Sequence, residues 1–185
     1  MRTSSMRVIA AAFAVAAWWG LAPPAAHAAW QSREFESPLG DRATGIAVAA
    51  DNDPDFVLLI GCDGERGDRW RGATILQSPA SKVRLENPAP GPVLRQRVRV
   101  ALGDAPPVSD TLETRKAPRG GRLYWAPQPS KFAARLLAAE KDHPDSALRV
   151  QFKLASGKPL ELRFPLAGLG AEFGDLSKRC RDWQP

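Results

Sequence analysis

Residues 148–166 read LRVQFKLASGKPLELRFPL. Val150, Phe152 and Leu154 alternate with Gln151 and Lys153. Leu160, Leu162 and Phe164 alternate with Glu161 and Arg163. Alternation of period two puts successive side chains on opposite faces of a strand, so the stretch predicts a β-hairpin with one buried face, turned at Ala-Ser-Gly-Lys-Pro. After Pro165 the period changes. Leu166, Leu169, Phe173, Leu176 and Cys180 follow at spacings of three and four, which is one side of a helix. Glu172, Asp175, Lys178 and Arg179 take the other side. Lys178, Arg179 and Arg181 fall near the helix C-terminus, where the dipole favours cations. Gly168, Gly170 and Gly174 weaken the intrinsic propensity, so packing must hold this helix. The chain must therefore build a sheet that receives a helix, with Cys180 in the helix's buried stripe.

Upstream the chain reads as β. Strands are predicted at Gln31–Glu36, Gly45–Ala50, Phe56–Cys62, Arg69–Leu76, Val93–Leu102, Ser109–Arg115 and Arg122–Trp125. They are separated by DNDPD, DGERGD, NPAPGP, GDAPP and APRGG, all rich in turn residues. A second helix is predicted over Ser130–Lys141, capped by Ser130 and ended by His143-Pro144. Strands at hairpin spacing without intervening helices imply a mostly antiparallel sheet. The fold class expected is α+β: a sandwich-like antiparallel sheet with two short helices, the C-terminal one tied to a strand.

That tie depends on compartment. The chain opens MRTSSMRVIAAAFAVAAWWGLAPPAAHAAW: two arginines, an uncharged apolar run over Val8–Leu21, then small residues around His27. This is the pattern of a secretory signal peptide over residues 1–28, leaving residues 29–185 as a single exported domain. The apolar run falls short of the ~20 residues that span a bilayer, and no later run is longer, so no integral membrane segment is expected once the leader is removed. The net charge of +6 includes two leader arginines, so what remains is only mildly basic. Export places the chain in the periplasm or outside the cell, where two cysteines favour a disulfide. The alternatives are a metal site and a catalytic thiol. Zinc needs three or four ligands, and Cys62, Cys180 and His143 have no ligand spacing; no metal and no cofactor is expected. A Cys62–Cys180 bridge would close a loop of about 120 residues, worth up to roughly 5 kcal/mol in the chain-entropy picture.

Candidate binding residues are few. LRQRVRV puts Arg95, Arg97 and Arg99 on one face of a strand and Gln96, Val98 and Val100 on the other. That face could meet an anionic partner, or it could be the ordinary solvated side of a sheet. Export argues against nucleic acid. Tyr124 and Trp125, in LYWAPQP, could offer an exposed aromatic contact, although packing is the commoner fate of such residues. Asp51, Asp53 and Asp55 alternate as in a calcium loop, but Phe56 and Cys62 stand where an EF-hand needs Gly and Glu; a surface turn is the better reading. Arg66-Gly67-Asp68 spells an adhesion tripeptide but also suits a hairpin loop. No G-x-S-x-G or H-E-x-x-H occurs, and nothing assembles a nucleophile, base and orienter.

RFPLAGLGAEFGDLSKRCRDW, residues 163–183, resembles the closing segment of small exported proteins of the VasI kind, associated with type VI secretion. Phe164, Gly168, Leu169, Leu176, Cys180 and Trp183 carry the likeness, and LLIGC at 58–62 resembles that family's strand ending in its first cysteine. The plan is also similar to invasion-associated locus B proteins. The resemblance implies an α+β, disulfide-closed envelope protein and carries no catalytic residue onto this chain. The function expected is a non-enzymatic binding or accessory domain of the envelope or of a secretion system, with a protein of that kind as partner. The rival expectation is an enzyme or enzyme inhibitor acting on cell-wall or surface polymer.

Overall fold

The computed structural model describes residues 30–63, 70–117, 120–181 and 183–185. The predicted leader and the tripeptide at 66–68 lie outside the described residues. In chain order the elements are β1 (Gln31–Glu36), β2 (Arg42–Ala50), β3 (Asp53–Asp63), β4 (Arg71–Gln77), β5 (Leu94–Leu102), β6 (Val108–Lys116), β7 (Arg122–Trp125), α1 (Pro129–Asp142), β8 (Ala147–Lys153), β9 (Pro159–Pro165) and α2 (Leu169–Arg179). All nine strands join one sheet in the order β1-β2-β3-β4-β7-β6-β5-β8-β9, and each neighbouring pair is antiparallel. The hairpin expected over 148–166 is β8–β9, with Val150 opposite Leu162 and Phe152 opposite Leu160.

The sandwich-like character comes from a single sheet that rolls over on itself. The β2–β3 turn meets β9, which lies at the far edge of the strand order. Asp51 N–H donates to Arg163 O at 2.8 Å. Asn52 Nδ2 donates to Glu161 O at 2.6 Å, and Arg163 N–H donates to Asn52 Oδ1 at 3.1 Å. The edge backbone of β9 thus finds partners without a further strand. Only Asp51 and Asn52 of the DNDPD stretch form the turn; Asp53 already belongs to β3.

Inside the roll lie Phe56, Leu58, Ile60 and Cys62 of β3, Val150 and Phe152 of β8, and Leu162 and Phe164 of β9. The Phe152 ring meets Tyr124 at 5.1 Å and Phe56 at 6.3 Å, so β7, β8 and β3 touch across the interior. Each such side chain contributes about 1.5–3 kcal/mol by leaving water.

The helices pack on the same core. Every member of the stripe predicted from Leu166 to Cys180 is buried. The helix itself starts later, at Leu169. Gly168 takes φ +80°, a left-handed bend that glycine adopts without penalty, and Leu166 N–H donates to Ser146 O instead of entering the helix. Cys180 ends the helix and is bonded to Cys62, with Cα atoms 5.9 Å apart and both residues 1% exposed. In α1 the expected cap is not used: Gln128 takes the cap position without a side-chain bond, and Pro129, which has no N–H to satisfy, opens the helix. Ser130 Oγ instead accepts a hydrogen bond from Trp183 Nε1 at 3.2 Å, and the Trp183 ring packs on Phe173 at 5.2 Å. Gly72 of β4 lets α1 approach, since a Cβ there would collide with Pro129.

Candidate functional site

The alternation in β5 runs as the sequence demands. Gln96, Val98 and Val100 are buried, while Arg95, Arg97 and Arg99 are exposed on the outer face. What the sequence does not reveal is that β5 and β8 part company beneath these arginines. Their ladder runs from Leu102 opposite Leu148 to Arg99 opposite Gln151 and then stops, although both strands continue. The β4–β5 connection, residues 78–93, enters the gap. Glu86 N–H donates to Lys153 O at 2.7 Å, Ala155 N–H to Arg84 O at 2.9 Å, and Ala89 N–H to Arg95 O at 2.8 Å. Pro88 and Pro90 have no N–H, so this connection cannot become a full strand and close the gap.

The result is an open groove of about 910 Å³. Arg95, Arg97 and Arg99 line one bank, Asn87, Pro88, Ala89 and Pro90 line another, and Phe152 and Lys153 stand at the β8 end. Opposite the arginines on β6 are Glu113, Thr111 and Ser109 in turn, and Arg99 also faces Gln151. Thr111, Ser109 and Gln151 are neutral and can hydrogen-bond. Among the described residues the nearby acids form no ion pair with the row, although Glu113 stands directly opposite Arg95. Glu113 Oε2 accepts from Trp125 Nε1 at 2.9 Å, Glu86 pairs with Lys153 at 2.9 Å, and Asp110 Oδ1 accepts the Thr111 amide at 2.7 Å. Arg99 Nη2 reaches Pro107 O at 3.3 Å. Among the described residues, none of the three arginines has a carboxylate partner.

Of the two aromatics in LYWAPQP, Tyr124 is buried and Trp125 is half-buried. Tyr124 and Trp125 are consecutive on β7, between β4 and β6, so they face opposite sides of the sheet. Tyr124 points into the core at 1% exposure and donates its hydroxyl to Gln77 Oε1 at 3.0 Å. Burial pushes its phenol well above the ordinary tyrosine range. Trp125 is half-buried, with its indole N–H spent on Glu113.

A second hollow, of about 610 Å³, lies under the β1–β2 hairpin, floored by Leu59, Leu76 and Leu123 and walled by Phe35. Arg115 Nη2 ties the hairpin down through Glu36 Oε1 at 2.8 Å and Ser37 O at 2.7 Å. The described residues contain no cluster of three His, Cys, Asp or Glu side chains placed to hold a metal ion. His143 stands exposed at the end of α1. No helix among the described residues is long and apolar enough to cross a membrane.

Comparison of the chain with protein-family models, with curated proteins and with solved structures finds no match in any of the three.

Proposed function

We propose that this is a non-enzymatic exported domain that binds another component of the bacterial envelope, and that it does so by gathering anionic groups into the groove beside β5. The observation that carries this reading is the row Arg95, Arg97 and Arg99, exposed along a groove of about 910 Å³ and left without carboxylate partners among the described residues. Guanidinium groups on one face repel each other at low salt, and an anion relieves that repulsion while gaining forked hydrogen bonds. The leader pattern and the Cys62–Cys180 bridge support an extracytoplasmic setting. The resemblance to VasI-type proteins supports a partner from a secretion apparatus.

The test is retention of envelope components on the immobilised mature protein across a salt gradient. Wild-type protein should hold a partner at low salt and release it steeply as ionic strength rises. Reversing all three arginines to glutamate should abolish retention while leaving the thermal unfolding curve in place, because these side chains are exposed. Retention that survives the triple reversal, or turnover of a cell-wall polymer by the purified protein, would remove the proposal.

A further inference from the structure

The arginine row has a definite period, and its opposite bank has a different chemistry. Arg95, Arg97 and Arg99 are alternate residues of one strand, so their stems leave the sheet about 7 Å apart along a straight line. The other bank, Asn87, Pro88, Ala89 and Pro90, is uncharged; its prolines have no N–H and the Ala89 N–H is already bonded to Arg95 O, which leaves Asn87 as its side-chain donor. A ligand that fits both banks must be extended, must repeat its negative charge every ~7 Å, and must present uncharged groups between those charges. An extended polypeptide with acidic residues at alternate positions has these three properties. Its own rise equals that of β5, so each carboxylate stays in register with one guanidinium along the whole row. The small residues between them face the proline bank. A polyphosphate chain carries charge on every unit and has nothing to offer the prolines of that bank.

We infer that the groove is a docking site for an extended segment of a protein partner in which Asp or Glu alternates with small uncharged residues. Thr111, Ser109 and Gln151 flank the row and supply hydrogen bonds to the carboxylate oxygens or the peptide backbone. Arg97 sits at the centre, opposite Thr111. This inference rests on the groove being the binding site proposed above, and it adds the ligand's spacing and class.

The experiment titrates the mature protein with three probes: an end-blocked peptide of alternating Asp and Ala, a block isomer of the same composition with all Asp before all Ala, and inorganic polyphosphate of equal charge. The alternating peptide should bind about tenfold more tightly than the block isomer, the sum of a few exposed ion pairs held in register. Arg97→Gln should erase most of that preference while the protein keeps its unfolding midpoint. Equal affinity for the two peptides, each lost in the triple glutamate variant, would overturn the spacing and leave the groove as a general anion site. Tighter binding of polyphosphate would overturn the peptide class in the same way. Binding of all three probes that persists in the triple variant would sink both the groove reading and this inference.

Discussion

At the scale of single residues, position in the sheet decides what each polar side chain does. Tyr124 and Arg97 both sit in strands, yet one is a buried hydrogen-bond donor and the other an exposed cation with no ion pair among the described residues. For Tyr124 the consequence is a pH dependence. Its phenol titrates near 10.0 when the chain is unfolded, and burial raises it in the folded state. Above that pH the unfolded chain loses a proton that the native protein keeps, so the unfolded state is favoured progressively. The stabilisation is complete below about pH 10 and declines as pH rises towards the folded value, by up to roughly 1.4 kcal/mol per pH unit. Tyr124→Phe should remove that alkaline slope. It should also cost about 1 kcal/mol at neutral pH, because Gln77 Oε1 loses its donor. Denaturation midpoints at neutral pH and above pH 10 measure both effects; an unchanged slope would mean Tyr124 titrates freely. The arginine face was legible because alternation is a local property of LRQRVRV. The burial of Tyr124 was not, since adjacent residues on a strand always split between faces and nothing in LYW says which one turns inward.

At the scale of elements, the period change at Pro165 marks α2 and its stripe, and the stripe turns Cys180 inward independently of its bond to Cys62. The start of α2 was less legible. Leu166 keeps the apolar spacing while serving as a connector, and only the left-handed Gly168 marks the entry. The cap of α1 departs from the expectation for a related reason: Ser130 has the chemistry of a cap, but the neighbouring Pro129 already suits the first helical position, which leaves the hydroxyl for Trp183. The disulfide, the Phe173–Trp183 contact and the Trp183–Ser130 bond together fasten the C-terminal segment. Replacing Cys62 and Cys180 together by alanine should therefore lower stability by about 2–5 kcal/mol. The loss should appear first as hydrogen exchange in α2 and a red shift of tryptophan emission as Trp183 becomes solvated. Reduction of the native protein should reproduce both changes. Two titratable thiols in protein purified without reductant would show that the bridge does not form.

At the scale of the whole molecule, strand existence was readable and strand order was not. Each strand announces itself locally, but β7 lies between β4 and β6, and β5 pairs with both β6 and β8. Such long-range choices are made by the shape of the common core. The groove is a product of this order: it exists because β5 meets β8 for only part of its length and a proline-rich connection occupies the rest. Nothing in NPAPGP alone distinguishes that role from an ordinary loop. The closure of the roll is equally non-local. It depends on Asn52, whose amide both donates to Glu161 O and accepts from Arg163 N–H, standing in for one residue of a missing strand. Asn52→Ala should leave the two β9 groups to solvent and cost about 1–3 kcal/mol, since two modest hydrogen bonds are lost at an exposed site. The loss should be confined at first to the seam. Amide exchange should accelerate at Arg163 while the Val150–Leu162 part of the β8–β9 hairpin, paired on its own strand, stays protected. Asn52→Asp retains the acceptor for Arg163 N–H and removes the donor to Glu161 O, so it should restore protection at Arg163 alone. Uniform acceleration along β8 and β9 in the alanine variant would show instead that Asn52 holds the whole sheet, and that the roll has no separate seam.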